Sequence, residues 1–144
     1  MTWWRVEKIV RFGHCDPAGI VFYPRFFELM QEATEDFFRD AIGMPFDRIV
    51  TTDGIVMPAV SLDVRWHAPS RLAETLAIDV GIARLGTASI DFAYEMSCNG
   101  ERRMSARTKQ VQTRRETGRA TPIVEPMRGR LMRHLVALPE GGFA

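Results

Sequence analysis

Cysteine is almost absent. Cys15 and Cys98 are the only two in 144 residues, too few for a disulfide scaffold, so a reducing cytoplasm is the expected location. The opening MTWWRVEK also lacks the basic-then-apolar layout of a signal peptide. No run approaches the roughly 20 apolar residues of a membrane span, so no membrane is expected as a partner. The three histidines, His14, His67 and His134, have no metal-ligand spacing among themselves or with the cysteines, which argues against a zinc site. A glycine-rich cradle for nucleotide phosphates is missing. So are repeats, low-complexity tracts and linkers, and residues 1–144 are expected to form one domain.

Lysine is scarce as well: 17 of the 19 basic residues are Arg, which grips phosphate bidentately where Lys acts as a point charge. The net charge of +1 hides an asymmetry. Residues 1–99 carry nine Lys/Arg against fourteen Asp/Glu, and residues 100–144 carry ten against four. A basic segment can meet nucleic acid, an anionic membrane or a phosphorylated small ligand, or it can be a solvated strand face. The arginine bias tilts the choice toward a phosphate-bearing ligand. Nucleic acid is disfavoured, because these arginines are dispersed along an alternating strand.

What is present is strongly patterned. With 46% hydrophobic and 26% charged residues the chain has a globular composition. In WWRVEKIVRF, residues 3–12, Trp4, Val6, Val10 and Phe12 alternate with Arg5, Glu7 and Arg11, while Lys8 and Ile9 break the pattern; period two predicts a half-buried strand. Gly13–Tyr23 reads as a loop, with Pro17 and Gly19 as turn residues. Pro24 suits the first position of a helix. Phe26, Met30, Ala33, Phe37 and Ala41 then recur at steps of three and four, which predicts an amphipathic helix of about five turns ending at Gly43.

Four further runs, AVSLDVRW, TLAIDVGI, SIDFAYEM and RMSARTKQVQT, read as strands. The last is more polar and is expected at an edge or an interface. Asn99-Gly100 signals a hairpin, and a short helix is expected near residues 126–136. One long helix and about five strands, each apolar on one face, bury those faces most simply when an antiparallel sheet wraps the helix. The expected class is therefore α+β.

The stretch FGHCDPAGIVFYPRFF, residues 12–27, places Asp16 just ahead of a helix start. Unpaired backbone N–H groups and the positive end of the helix dipole lie there and stabilise an anion developing on a substrate oxygen. A carboxylate beside such donors can act as nucleophile or general base toward a carbonyl. The residues alone leave a second use open, with Asp16 capping the Pro17–Gly19 turn. Cys15 and His14 are adjacent on extended chain, point apart, and do not make a nucleophile–base pair.

CDPAGIVFYPRFF resembles the catalytic loop of the hot-dog-fold acyl-CoA thioesterases, in particular the 4-hydroxybenzoyl-CoA thioesterase family. The similarity extends through PAVSLDVRWHAPSRLAETLAI and LGTASIDFAYEM. The resemblance implies a sheet wrapped around one long central helix, subunits that join sheets as homodimers or homotetramers, and active sites between subunits. It implies an acyl-CoA substrate, hydrolysed with no metal or redox cofactor. Asp16 matches the family's catalytic carboxylate, and the Tyr23 N–H matches its oxyanion donor, since Pro24 has none to offer. Substrate contacts are implied at Pro17, Gly19, Gln31, Thr87 and Ser89. Coenzyme A phosphate contacts are implied at Arg84, Arg102 and Arg103, with Arg107 and Lys109 as further candidates. Two positions depart from the hydroxybenzoyl enzyme: Gly86-Thr87 replace a pair of arginines, and Gln31 replaces an acid that faces the substrate phenol. These departures favour aryl or short- to medium-chain acyl groups over dedication to hydroxybenzoyl. A non-catalytic acyl-CoA-binding subunit and a thioesterase acting on acyl carrier protein are the alternatives.

Overall fold

The computed structural model describes residues 2–138. The first strand, β1 (Trp4–Ile9), leads through a short helical turn at Phe12–His14 and the Asp16 loop into α1 (Arg25–Phe37). Helical backbone continues as a wider turn over Phe38–Ile42 and stops at Gly43, whose φ of 73° suits glycine. A second helical turn, Arg48–Thr52, and the two-residue β2 (Ile55–Val56) precede β3 (Ala59–Trp66). Then come β4 (Thr75–Leu85), β5 (Ser89–Cys98), β6 (Glu101–Val111), β7 (Thr113–Arg114) and α2 (Met127–Met132). The main sheet has the order β1-β4-β5-β6-β3 and every pairing in it is antiparallel.

The expected wrap of sheet around helix is present. Phe26, Leu29, Met30, Ala33 and Phe37 on α1 are buried in one cluster with Ile78, Val80, Ile82, Ile90, Phe92 and Met96 of the sheet. Phe37 meets Trp4 and Phe92 edge-on, at 5.8 and 6.4 Å between ring centres. Truncating a fully buried phenylalanine of this kind costs about 3–5 kcal/mol. One polar link crosses the core, where Thr34 and Tyr94 share a 2.6 Å hydrogen bond between hydroxyls. Burial pushes the Tyr94 phenol up to about 12. Lys8, which interrupts the alternation of β1, has an electrostatic reason to be there: its Nζ lies 2.6 Å from Asp36 on α1. The Asn99-Gly100 hairpin is also present, with both residues at positive φ, 50° and 81°.

Two expectations about the strands need correction. The polar β6 is not an edge strand; it lies between β5 and β3. On the outer face Arg107 pairs with Asp91 and Ser105 with Glu95, while Met104 and Ala106 enter the core and the polar Thr108 and Gln110 are buried on that same inner face. The edges belong instead to β1 and β3; on β3 apolar side chains are exposed. Val60, Leu62 and Trp66 are 61%, 44% and 44% exposed there, although their alternation reads as half-buried. An apolar edge strand left open is a template for pairing with another chain.

Candidate active site

The Asp16 loop is fixed by backbone hydrogen bonds rather than by packing. Asp16 N–H donates to the Ile20 carbonyl at 2.9 Å, and Gly19 N–H closes the turn on the Asp16 carbonyl at 3.0 Å. Gly19 adopts φ 78° with open space around it, so backbone conformation rather than crowding asks for glycine. The loop is stitched to the β3–β4 connection by Val21 N–H to Ser70 O, 2.8 Å, and Leu72 N–H to Gly19 O, 3.1 Å. Phe22 N–H donates back to His14 O at 2.9 Å.

The Asp16 carboxylate is half-buried. Its Oδ1 accepts the Ala18 N–H at 2.9 Å, so the turn-capping use is real. Oδ2 accepts no hydrogen bond from a described residue, and capping therefore occupies one oxygen only. At the helix entrance Arg25 N–H and Phe26 N–H turn back to Phe22 O and Tyr23 O. Tyr23 N–H donates to none of the described residues. Pro17 and Gly19 frame the same turn.

Beside the loop opens a cleft of about 320 Å³, walled by Val21, Tyr23, Phe26, Trp66, His67 and Ser70 among others. Trp66 gathers the aromatic wall, with Tyr23 at 6.2 Å and Phe26 and Phe27 at 6.1 Å, all edge-on. Asp16 does not itself line this cleft in the single chain; its loop neighbours Ile20 and Val21 do.

The basic residues expected at coenzyme A divide sharply. Arg103 is only 7% exposed. It grips Glu74 with Nη1 at 2.7 Å and Nη2 at 3.0 Å, donates to Pro69 O at 3.0 Å, and sets Nε 2.7 Å from Glu101 in a charge contact that lacks hydrogen-bond alignment. The Arg103 guanidinium holds the Glu74 carboxyl down to about 2, with the Arg71 backbone N–H assisting. This pair clamps the segment onto which the Asp16 loop is stitched. Pairing over 29 positions left no signal in the sequence. Arg102 lies on the outer face of the sheet with Ser105 and Glu95.

Arg84, Gly86 and Thr87 line a different cleft of about 520 Å³ together with Arg128. Arg128 braces its wall by donating to the carbonyls of Gly86, Thr87 and Ile123. The Arg84 side chain makes no hydrogen bond or ion pair with a described residue. Ser89 begins β5 beside this cleft, and its Oγ lies where a side chain on Gly86 would go. Gln31 is exposed on α1 and reaches Glu35 at 3.4 Å. The two groups of expected site residues therefore sit at opposite ends of β4, an eleven-residue strand that spans roughly 30 Å. Among the described residues no group of three or more His, Cys, Asp or Glu side chains could hold a metal, and no helix is long and apolar enough to cross a membrane.

Comparison with known proteins gives a consistent neighbourhood. Residues 10–131 match the family model described as the thioesterase-like superfamily. A 1,4-dihydroxy-2-naphthoyl-CoA hydrolase of Synechococcus elongatus is 23% identical over 126 residues, 87% of this chain and 92% of the relative. The 4-hydroxybenzoyl-CoA thioesterase of a Pseudomonas species is 30% identical over 78 residues, 54% of this chain and 55% of that one. The solved structure of a gentisyl-coenzyme A thioesterase superposes with a TM-score of 0.79 at 27% identity, covering 87% of this chain and 99% of its own.

Proposed function

The chain belongs to the thioesterase-like superfamily and is a thioester hydrolase, and from that premise we propose that it cleaves an aryl-CoA thioester with Asp16 and the Tyr23 N–H as its working pair. The observation that carries this reading is the unpaired Tyr23 N–H at the helix entrance, joined by one short loop to a carboxylate with a free oxygen. The substrate carbonyl oxygen takes the Tyr23 N–H, reinforced by the helix dipole. Asp16 then attacks the carbonyl carbon, or takes a proton from a water that does. Charge collects on the oxygen held by Tyr23. Its collapse breaks the C–S bond and releases the CoA thiolate, which is protonated by water. In the first route a second water hydrolyses the acyl-aspartate; in the second the acid forms directly. Neither route asks for a metal or redox group. The aromatic cleft at Trp66 suits a flat acyl group better than a flexible chain.

A site shared between two copies reconciles the distant basic cleft with this chemistry. Two-fold pairing of one strand edge with its own copy is antiparallel. Such pairing at β3 sets Trp66 of one chain beside Ala59 of the other. The ladder registers Ala59 to Gln110, Gln110 to Ile90 and Ile90 to Leu85, so Ala59 marks the Arg84–Thr87 end of the sheet. The partner thus brings its basic cleft toward the Asp16 loop, where Arg84 can meet a CoA phosphate. Arg103 is assigned to the Glu74 clamp instead.

The test is thiol release from benzoyl-, hydroxybenzoyl-, phenylacetyl- and short acyl-CoAs. Turnover is expected on the aryl esters, and Asp16→Asn or Asp16→Ala is expected to lose about 10³-fold in kcat. Full turnover by either variant overturns the mechanism. Binding without turnover favours a non-catalytic subunit, and turnover confined to acyl carrier protein esters moves the substrate.

A further inference from the structure

His67 enters the aromatic cleft from the end of β3 and, with Tyr23, is one of its two titratable side chains. Its environment fixes the position of its proton. Ser105, fully buried on β6, has a single hydroxyl proton. Ser105 Oγ lies 2.6 Å from Glu95 Oε2, and a carboxylate only accepts, so that proton is given to Glu95. Arg102 Nη2, at 2.9 Å, donates into the same oxygen. His67 Nε2 stands 2.9 Å from it and has to donate too. In its neutral form the imidazole is thereby held with its proton on Nε2, leaving on Nδ1 a lone pair that no described residue occupies.

A second polar atom lies behind the same wall. Ser70 is 1% exposed and lines the cleft, yet its Oγ has no hydrogen-bond partner among the described residues. Buried hydroxyls are rarely left so, because an unmet one costs about 1–3 kcal/mol. The rest of the wall is apolar and largely aromatic. A ligand that answers the free imidazole nitrogen within this wall is a flat ring carrying a hydroxyl that donates to it.

We propose that His67 Nδ1, oriented through Ser105 and Glu95, selects thioesters whose aryl group bears a ring hydroxyl. This inference rests on the thioesterase reading for its substrate and adds the residue that discriminates. Gln31, exposed on α1, then need not be the hydroxyl contact.

Calorimetric binding of phenacyl-CoA and the three hydroxyphenacyl-CoA isomers, thioether analogues that cannot be hydrolysed, tests it on the full chain. At least one hydroxylated isomer is expected to bind wild type about tenfold more tightly than phenacyl-CoA. His67→Phe should bring that ratio close to one, and His67→Asn, whose Oδ1 stands in for Nδ1, should recover part of it. Ser105→Ala should reduce the ratio without touching the ligand. A wild-type ratio near one, or a ratio that survives His67→Phe, overturns the proposal. Thiol release from the matching esters separates the two readings. An intact, His67-dependent ratio without hydrolysis supports the selector and sinks the catalytic reading; hydrolysis with no such ratio does the reverse.

Discussion

The two ends of β4 handle polar groups in opposite ways. At the Thr75 end, backbone hydrogen bonds lash the Asp16 loop to residues 70–72, and the buried Arg103–Glu74 pair holds that segment from behind. Among the described residues, the Tyr23 N–H and one Asp16 oxygen remain unpaired there, as does the buried Ser70 Oγ. At the Leu85 end, Arg84 stands exposed at an open cleft, over a turn that Arg128 braces together with backbone hydrogen bonds from Gln112 and Ile123. The first end presents a carboxylate beside a free N–H and is suited to reaction; the second presents an exposed guanidinium and is suited to holding an anion. A long substrate with a reactive head and an anionic tail needs both, and the β3 pairing proposed above would bring the second within reach of the first.

The largest effect should come from breaking the first end. Asp16→Asn is expected to lower kcat about 10³-fold with little change in KM, and single turnover in ¹⁸O-water sharpens the role: label found in the Asp16 carboxylate marks it as nucleophile. Next is the contact that joins the ends. Leu62→Arg on the open face of β3 should shift the protein to monomer in sedimentation, with activity falling in step with the dimer fraction; a fully active monomer breaks the comparison. The second end is probed by Arg84→Ala, for which KM toward CoA esters should rise about tenfold while an N-acetylcysteamine thioester, which lacks the nucleotide, is unaffected.

The smallest effect concerns the clamp. Glu74→Gln should cost about 1–3 kcal/mol of stability near neutrality, since it strips a charge-assisted pair from Arg103. Glu74 is depressed to about 2 in the fold against an ordinary glutamate value near 4.3. Its contribution is therefore complete above about pH 4.5 and fades as pH falls toward 2. Thermal melts of wild type and variant should be well separated at pH 6 and converge toward pH 2; a constant gap refutes the assignment.

Much of the fold is legible along the chain because it is local. The three-and-four spacing of α1, the stop at Gly43, the Asn99-Gly100 hairpin and the alternation of β1, β4 and β5 all rest on neighbouring residues. The place of Asp16 ahead of the helix is legible for the same reason, being one loop running into one helix, whereas Tyr23 as its partner is what the family resemblance implies. The place of β6 is not, because a polar strand reads as an edge until its outward side chains find Asp91 and Glu95. Nor is the fate of Arg103, whose partner lies across the sheet. Ala73 at φ 71° carries no turn signal of the glycine kind.

The residues alone determined where helix and strands form, which faces are apolar and which carboxylate stands before a helix N-terminus, since these follow from periodicity and from local backbone geometry. Strand order, the open edge at β3, the burial of Arg103 and the Ser105-bound His67 were decided only when the sheet assembled. They depend on contacts between segments distant in sequence, and no spacing along the chain encodes which distant partner a side chain will meet.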